Sequence, residues 1–540
     1  MSADVIFTGG VITVDDAQPT AEGVAVANGQ IAAVGSRDDV LSLRGVGTRV
    51  VDLDGHTLAP AFIDPHSHYI NSLMVANQVN VYAPPAGPGT DVAAIVAELR
   101  KFRDSRGIGA GEVIIGYGYD DTLMPDGRVL HASDLDVFAS NPVIVQHVSL
   151  HGGVLNSAAL RRWGITADTP TPPGGVIVRK PGTHEPDGLL METAFLPVFA
   201  SLPKPTSDQE IAWSKAGQSL YAAAGITTAQ EGLSHVADID LLYRAADGGA
   251  TLIDVVAYPF ILDLDAVLQS YPASCFGKYR NRVKLGGVKV TLDGSPQGRT
   301  AYFTTPYLSE GPEGQRNWRG EEPFPQEMIT GWFQQVYDLG LQLLIHANGD
   351  AAIDMLLEAD AAASAGSDAD RRTVSIHSQF ARRDQLARFK SQRVIPSFFT
   401  SHAYYFADAH IRLRGREQAD FSSPMRAAID LGLAPTNHTD FNVTPIDQLF
   451  LMWTAVNRLS RSGEVIGADQ RVTPLEALKA VTLHAAYQYF EEDSKGSIEV
   501  GKLADLVILD ANPLTVDPMA IKDINVVETI KEGQTTYAAR

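Results

Sequence analysis

Cysteine is nearly missing from this chain: Cys275 is the only one in 540 residues. That excludes an intramolecular disulfide and a thiolate-rich zinc site. Any metal must be held by histidine, carboxylate or a less usual ligand. Long apolar runs are also missing. No stretch reaches the roughly 18 residues of a membrane span, so no membrane partner is expected. The N-terminal MSADVIFTGG has no basic segment ahead of a long apolar one, so no signal peptide is expected and a cytoplasmic location is the default. Blocks of like charge are absent, although the formal net charge is −21. Acidity spread in this way opposes nonspecific binding to nucleic acid or to an anionic membrane.

What is present is ordinary for a globular protein: 45% hydrophobic and 20% charged residues, in a chain long enough for more than one domain. Residues 4–14, 23–35 and 48–58 read as pairs of short strands around Gly9-Gly10, Asn28-Gly29 and Asp54-Gly55. The first 60 residues therefore predict an antiparallel β unit, with Gly, Asn and Asp supplying its turns. From residue 61 the texture changes to apolar strands alternating with helical stretches. Strands are expected at 61–68, 225–230, 252–260, 283–293, 341–346, 373–377, 393–399 and 433–440. Helices are expected at 208–223, 236–247, 263–270, 326–339, 350–364, 383–391, 423–431, 445–459 and 474–490.

Eight such units predict an α/β chain folded as a (β/α)8 TIM-like barrel over residues 61–490. A large Pro- and Gly-rich insertion, 70–208, follows the first strand. It leaves the barrel next to the first strand's histidines, so it is expected to form a lid or pocket wall. Short strands with Gly turns return at 496–509 and 524–537. Residues 1–60 and 491–540 are accordingly expected to build one small composite β-sandwich domain.

Catalytic residues of such barrels sit at the C-terminal ends of strands. At those positions the sequence places His66 and His68, Lys289, His346, His377 and Asp440. On a strand, His66 and His68 would point to one side and could share a metal with Asp440. His346 and His377 would hold a second ion. A bridge between two ions needs an anionic ligand. Lys289 could supply it if buried and neutral, because a neutral amine adds CO2 to become a carbamate. The alternatives are an ordinary Lys289 paired with Asp293, and a single-ion site. Asp440 would take the proton of the attacking water and return it to the leaving group.

These residues resemble the amidohydrolase superfamily: HxH after a strand, a lysine four residues before Asp293-Gly294-Ser295, the stretch His346-Ala347-Asn348-Gly349-Asp350, a later strand histidine, and an aspartate ahead of a helix. Thr473-Pro474-Leu475-Glu476-Ala477, Thr482-Leu483-His484-Ala485-Ala486 and Gly496–Val507 (GSIEVGKLADLV) carry the same resemblance. The long insertion, with Gly118-Tyr119-Asp120, His151 and Asn156-Ser157, is similar to the subgroup that includes N-substituted formamide deformylases. The resemblance implies a metal-dependent hydrolase with a composite β-sandwich, a carbamylated lysine, zinc as the metal, and a homodimer. One departure stands out: the family usually has Gly-Ser-Asp where this chain has His438-Thr439-Asp440.

The expected reaction is hydrolysis of a C–N bond (an amide, N-substituted formamide or carbamate-like substrate) by a metal-activated hydroxide, with Asp440 as general base and acid. The alternatives are hydrolysis of C–O or P–O bonds (ester, lactone, phosphotriester) and a catalytically silent metal-binding scaffold. Candidate substrate contacts are Tyr119, Asp120, His151 and Glu192 in the insertion, and Phe398, His402 and Tyr404 after the seventh strand. His402 could polarise the scissile carbonyl. The aromatic run around it points to a small molecule with an apolar or aromatic group.

Overall fold

The computed structural model describes residues 2–125, 128–148, 152–173, 175–202, 205–312 and 314–539. The chain is a mixed α/β protein that divides into two compact units, residues 1–71 with 218–540, and residues 72–217.

In the first unit both chain ends share one seven-stranded sheet. Its order is Gln534–Ala538, Val526–Lys531, Leu506–Leu509, Arg49–Pro60, Val5–Ile12, Thr20–Ala27, Gln30–Gly35. Phe7, Val11, Leu58, Ile508 and Ile530 bury their side chains in one cluster on it. The Asn28-Gly29 turn joins two antiparallel strands as expected. The other two pairs are not pairs. Val5–Ile12 and Arg49–Pro60 each run through their glycines as one strand, and they pair in parallel. The sheet is therefore mixed rather than antiparallel. A β-bulge near Gly9 and Gly10 absorbs the irregularity that reads locally as a turn.

Parallel strands alternate with helices through the rest of this unit. Phe62–Ile63, Ile226–Ser234, Asp254–Pro259 and Val283–Leu285 pair side by side. Gly287–Thr291, Gln342–Ala347, Val374–His377, Ile395–Phe398 and Thr436–Asn437 form a second parallel run. The expected strand 283–293 is thus divided between two sheets at Gly286. A Cβ there would lie 2.6 Å from Tyr258 Cζ, so only glycine lets the strand pass that ring. Phe260 and Lys289 form an isolated parallel bridge across the division. The expected helix 474–490 is also two helices, Pro474–Ala480 and Leu483–Gln488. Expected strands 61–68 and 433–440 shrink to Phe62–Ile63 and Thr436–Asn437.

Beyond these two short strands the backbone is irregular but tightly held. Thr439 donates its N–H and Oγ1–H to the Asp64 carboxylate at 3.2 and 2.5 Å. Asp440 N–H donates to His66 O at 3.1 Å, and His68 N–H donates to Phe441 O at 2.7 Å. The ends of the first and last parallel strands are thereby fixed to each other.

The second unit has its own six-stranded sheet, ordered Gly175–Arg179, Pro186–Glu192, Gly152–Leu155, Val143–His147, Ile114–Tyr119, Val79–Asn80. Helix Val92–Arg106 contributes Ile95 and Leu99 to its core.

Candidate metal centre

The histidine pair does not sit on a strand. The first parallel strand stops at Ile63, and residues 64–67 form a bend before His68 bridges to Glu231. The two rings nevertheless converge, with centroids 5.3 Å apart. Nε2 of each lies 3.5 Å from Asp440 Oδ1. Close backbone approach makes this room: a Cβ on Gly232 would collide with the His66 ring.

Around that point the other strand ends contribute in turn. Lys289 Nζ is 3.3 Å from His66 Nε2. The His377 ring lies 5.7 Å from that of His66 and 4.6 Å from that of His346. One ligating atom each from His66, His377 and Asp440 lie within 4.8 Å of one another. His377 and Asp440 hold positive φ values, 69° and 52°. Such a backbone is rare for residues other than glycine and concentrates at functional sites.

His66, His346 and His377 are each anchored through one nitrogen. His66 Nδ1 is 2.6 Å from Gln230 Oε1. His346 Nε2 lies 3.1 Å from Asn348 Nδ2 and 3.4 Å from an Asp293 oxygen. His377 Nδ1 lies 3.1 Å from His438 Nε2. Nε2 of His66 faces Lys289 and Asp440, while no hydrogen bond among the described residues engages Nδ1 of His346 or Nε2 of His377.

Burial keeps these rings neutral. It lowers the pKa of His66 and His377 well below the ordinary histidine range; Lys289 adds to the effect at His66, and the neighbouring imidazoles add to it at His377. His346 falls to about 3 for the same reason. His68 moves the other way. Burial disfavours its cation, but the Asp440 hydrogen bond and the Glu231 charge outweigh it. Burial pushes Lys289 down to about 7, against the pull of Asp440 and Glu231. Neutral imidazoles with free lone pairs, a carboxylate and a buried amine converging on one point are the donor chemistry of a divalent cation. The residues fit such an ion.

Asp293 is not the partner of Lys289. Its carboxylate accepts the N–H groups of Tyr302, Asn348 and Gly349 at 3.1, 2.9 and 2.8 Å. Its pairing is with the loop that presents His346.

The expected substrate contacts separate. His402 is buried, with its ring 5.9 Å from His377 and no hydrogen-bond partner on Nδ1 among the described residues. Phe398 is buried within its strand. The aromatic ring beside the histidines is that of Phe399, 4.1 Å from His402 and 5.4 Å from His438. Tyr404 packs on Phe450 and Trp453 of helix Gln448–Asn457. Tyr119, Asp120 and Glu192 belong to the second unit. Tyr119 is buried there, its hydroxyl accepting the Leu130 N–H at 2.8 Å. Asp120 lies with Asp121 and His147 at the ends of two adjacent parallel strands. Glu192 ends strand Pro186–Glu192. His151 lies outside the described residues.

Gln230, Glu231 and Asp64 are also buried at the centre. Gln230 and Glu231 stand near the end of a strand, as the histidines do, but an amide and a second carboxylate carry no ligand signature in a sequence. Glu231 accepts the Ile70 N–H at 2.7 Å, and burial raises its pKa to about 7.

Comparison with known proteins shows the family. The amidohydrolase family matches residues 49–537. The chain is 27% identical to an N-substituted formamide deformylase of Arthrobacter pascens, over 99% of this chain and 98% of that one. It is 26% identical to the putative amidohydrolase YtcJ of Bacillus subtilis (strain 168), over 98% and 99%. The crystal structure of an uncharacterised metal-dependent hydrolase from Pyrococcus horikoshii OT3 shares its fold. The TM-score is 0.72 at 23% identity, covering 95% of this chain and 99% of that one. The chain belongs to the amidohydrolase family: it is a metal-dependent hydrolase, of the class that acts on carbon–nitrogen bonds.

Proposed function

We propose that this enzyme hydrolyses the C–N bond of a small amide, N-substituted formamide or carbamate-like substrate bearing an apolar or aromatic group. The observation that carries the reading is the convergence of His66, His377 and Asp440 ligand atoms within 4.8 Å, with Lys289 Nζ 3.3 Å from His66 Nε2. The full-length similarity to a formamide deformylase supports the substrate class. Phe399 and His402, packed beside the histidines, support the apolar group.

In this proposal the two parallel runs form one (β/α)8 barrel, with residues 61–490 as the catalytic domain and 70–208 inserted in it. Residues 1–60 and 491–540 form the composite β-sandwich domain. His66, His68, His346, His377 and Asp440 would hold the metal. Lys289, as a carbamate, would be the anionic ligand of a two-zinc centre: its neutral amine would bond to the carbon of CO2 and release one proton. When bound, the metal supplies an acidified water and a Lewis acid for the carbonyl.

The chain's own residues do the rest. Asp440, poised 3.5 Å from both His66 and His68, accepts the proton of the attacking water and delivers it to the leaving nitrogen. Gln230 holds the His66 ring, and Thr439 and Asp64 hold the turn that carries Asp440. His402 offers an unpaired ring nitrogen to the substrate carbonyl, from a wall that Phe399 keeps dry. A homodimer is the expected assembly, which light scattering reads directly.

The test combines elemental analysis of the purified enzyme with turnover of matched formamides, amides, carbamates, esters, lactones and phosphotriesters. The C–N substrates are expected to be preferred, with activity lost on chelation. Protein free of divalent metal, or activity untouched by His66→Ala, would sink the reading. Preference for an ester or phosphotriester would move it to the corresponding bond.

A further inference from the structure

His438 has none of the roles assigned so far, yet it is wholly buried among the residues that do. Its Nε2 is 3.1 Å from His377 Nδ1, and its Nδ1 is 2.9 Å from Ser397 Oγ. Its ring lies 5.0 Å from that of His377, 5.1 Å from that of His66, and stacks on Phe399 at 5.4 Å with 26° between planes. Its backbone N–H donates to Phe398 O at 3.0 Å. Both nitrogens are occupied and one face is stacked, which holds the ring in one orientation.

We propose that His438 is a positioning residue for His377, accepting the His377 Nδ1 proton so that Nε2 of that ring is turned, with its lone pair, toward the cation site. The inference rests on the proposed metal centre. The protons follow from the geometry. An imidazole can ligate through Nε2 only if its proton sits on Nδ1. That proton needs an acceptor, and the only side-chain nitrogen placed for it among the described hydrogen bonds is His438 Nε2. His438 must then carry its own proton on Nδ1, where Ser397 Oγ accepts it. The reverse chain, with Ser397 donating, would put the His377 proton on Nε2 and close the lone pair to a metal.

The arrangement parallels His66, whose Nδ1 meets Gln230 Oε1 at 2.6 Å. There the partner is an amide from a neighbouring strand; here it is an imidazole from the last strand end, in the segment that also carries Asp440. One residue thereby ties the orientation of a ligand to the position of the general base.

The test uses Co2+ as the probe, bound to the metal-stripped full-length enzyme and followed by calorimetry and by its visible d–d bands. His438→Phe keeps ring shape and removes the acceptor. It is expected to weaken Co2+ binding by about 10–100-fold, to shift the d–d bands, and to leave stoichiometry unchanged. His438→Gln places an amide oxygen near the lost Nε2 and is expected to recover most of the affinity and the spectrum. Affinity within twofold of the wild type in His438→Phe would overturn the proposal. So would loss of one whole equivalent in both variants, which would make His438 a ligand. Should His438→Phe fail to fold, Ser397→Ala reads the same chain from its far end, with several-fold weaker binding expected and none overturning it. Failure of the underlying metal centre looks different: wild-type enzyme that binds no Co2+, or His377→Ala that binds it as well as wild type.

Discussion

The two ends of the parallel strands both bury ionisable side chains, and they treat them in opposite ways. At the C-terminal ends, His66, His346 and His377 are kept neutral by burial and converge on one another. At the N-terminal ends, charge is buried and answered. Asp254, the first residue of its strand, takes Lys495 at 2.5 Å and Lys531 at 2.7 Å. Lys531 also meets Asp505 at 2.7 Å, and Glu491 takes both Lys495 and Lys284. All six are buried. One end gathers neutral donors around a single carboxylate. The other is complete in itself and fastens the terminal sheet, through Lys531 and Asp505, to the start of the strands. Polar groups left open are built for chemistry; polar groups closed on each other are built for stability.

The largest expected effect breaks the open end. Asp440→Asn or His66→Ala should lower kcat/KM by about 10²–10⁴-fold or more, while a urea midpoint measured on the metal-free protein stays near that of the wild type. Removing the metal with a chelator should abolish turnover and lower Tm, since a ligand that binds only the folded state stabilises it. Re-addition of Zn2+ should restore both.

Breaking the closed end should do the reverse. Asp254→Asn leaves Lys495 and Lys531 short of their shared carboxylate and is expected to cost about 3–5 kcal/mol in urea unfolding. The metal content of the protein that remains folded should not change. Lys284→Met should cost less, about 1–3 kcal/mol, because Glu491 retains Lys495 at 2.8 Å.

The pH dependence of stability should also belong to the closed end. Burial opposes ionisation of Asp254, but Lys495 and Lys531 outweigh it and hold its carboxyl well below the usual range. A depressed carboxyl contributes its full stability above its unfolded value and loses it as pH falls toward the folded one. Unfolding free energy should therefore decline below about pH 4, and Asp254→Asn should flatten that decline. An unchanged acid limb in the variant would assign it to other carboxylates.

Much of this was legible along the chain. The alternation of apolar strands and helices is a local signal, and helix Val236–Asp247 has the expected bounds to the residue. His346 and His377 stand at the ends of strands whose periodicity announces them. Legibility fails where a long-range contact overrules local preference. Gly286 divides a continuous apolar run because Tyr258 occupies the space beside it. Gly9-Gly10 looks like a turn and is a bulge, because Arg49–Pro60 pairs alongside. His66 and His68 look like neighbours on one face of a strand. They converge instead through a bend held by Thr439 and Phe441, residues far along the chain near its last parallel strand.

By itself, then, the sequence determined which donor side chains stand at the strand ends and the order in which they are delivered. One cysteine rules out thiolates, and histidine, lysine and aspartate recur at strand ends. Only the tertiary structure decided which nitrogen of each ring is anchored, that Asp293 serves the His346 loop rather than Lys289, that Phe399 rather than Phe398 or Tyr404 faces the histidines, and that His438 stands behind His377. Residue type and spacing set what a side chain can do. Its partner atom is set by which distant strand packs against it, and no local pattern encodes that.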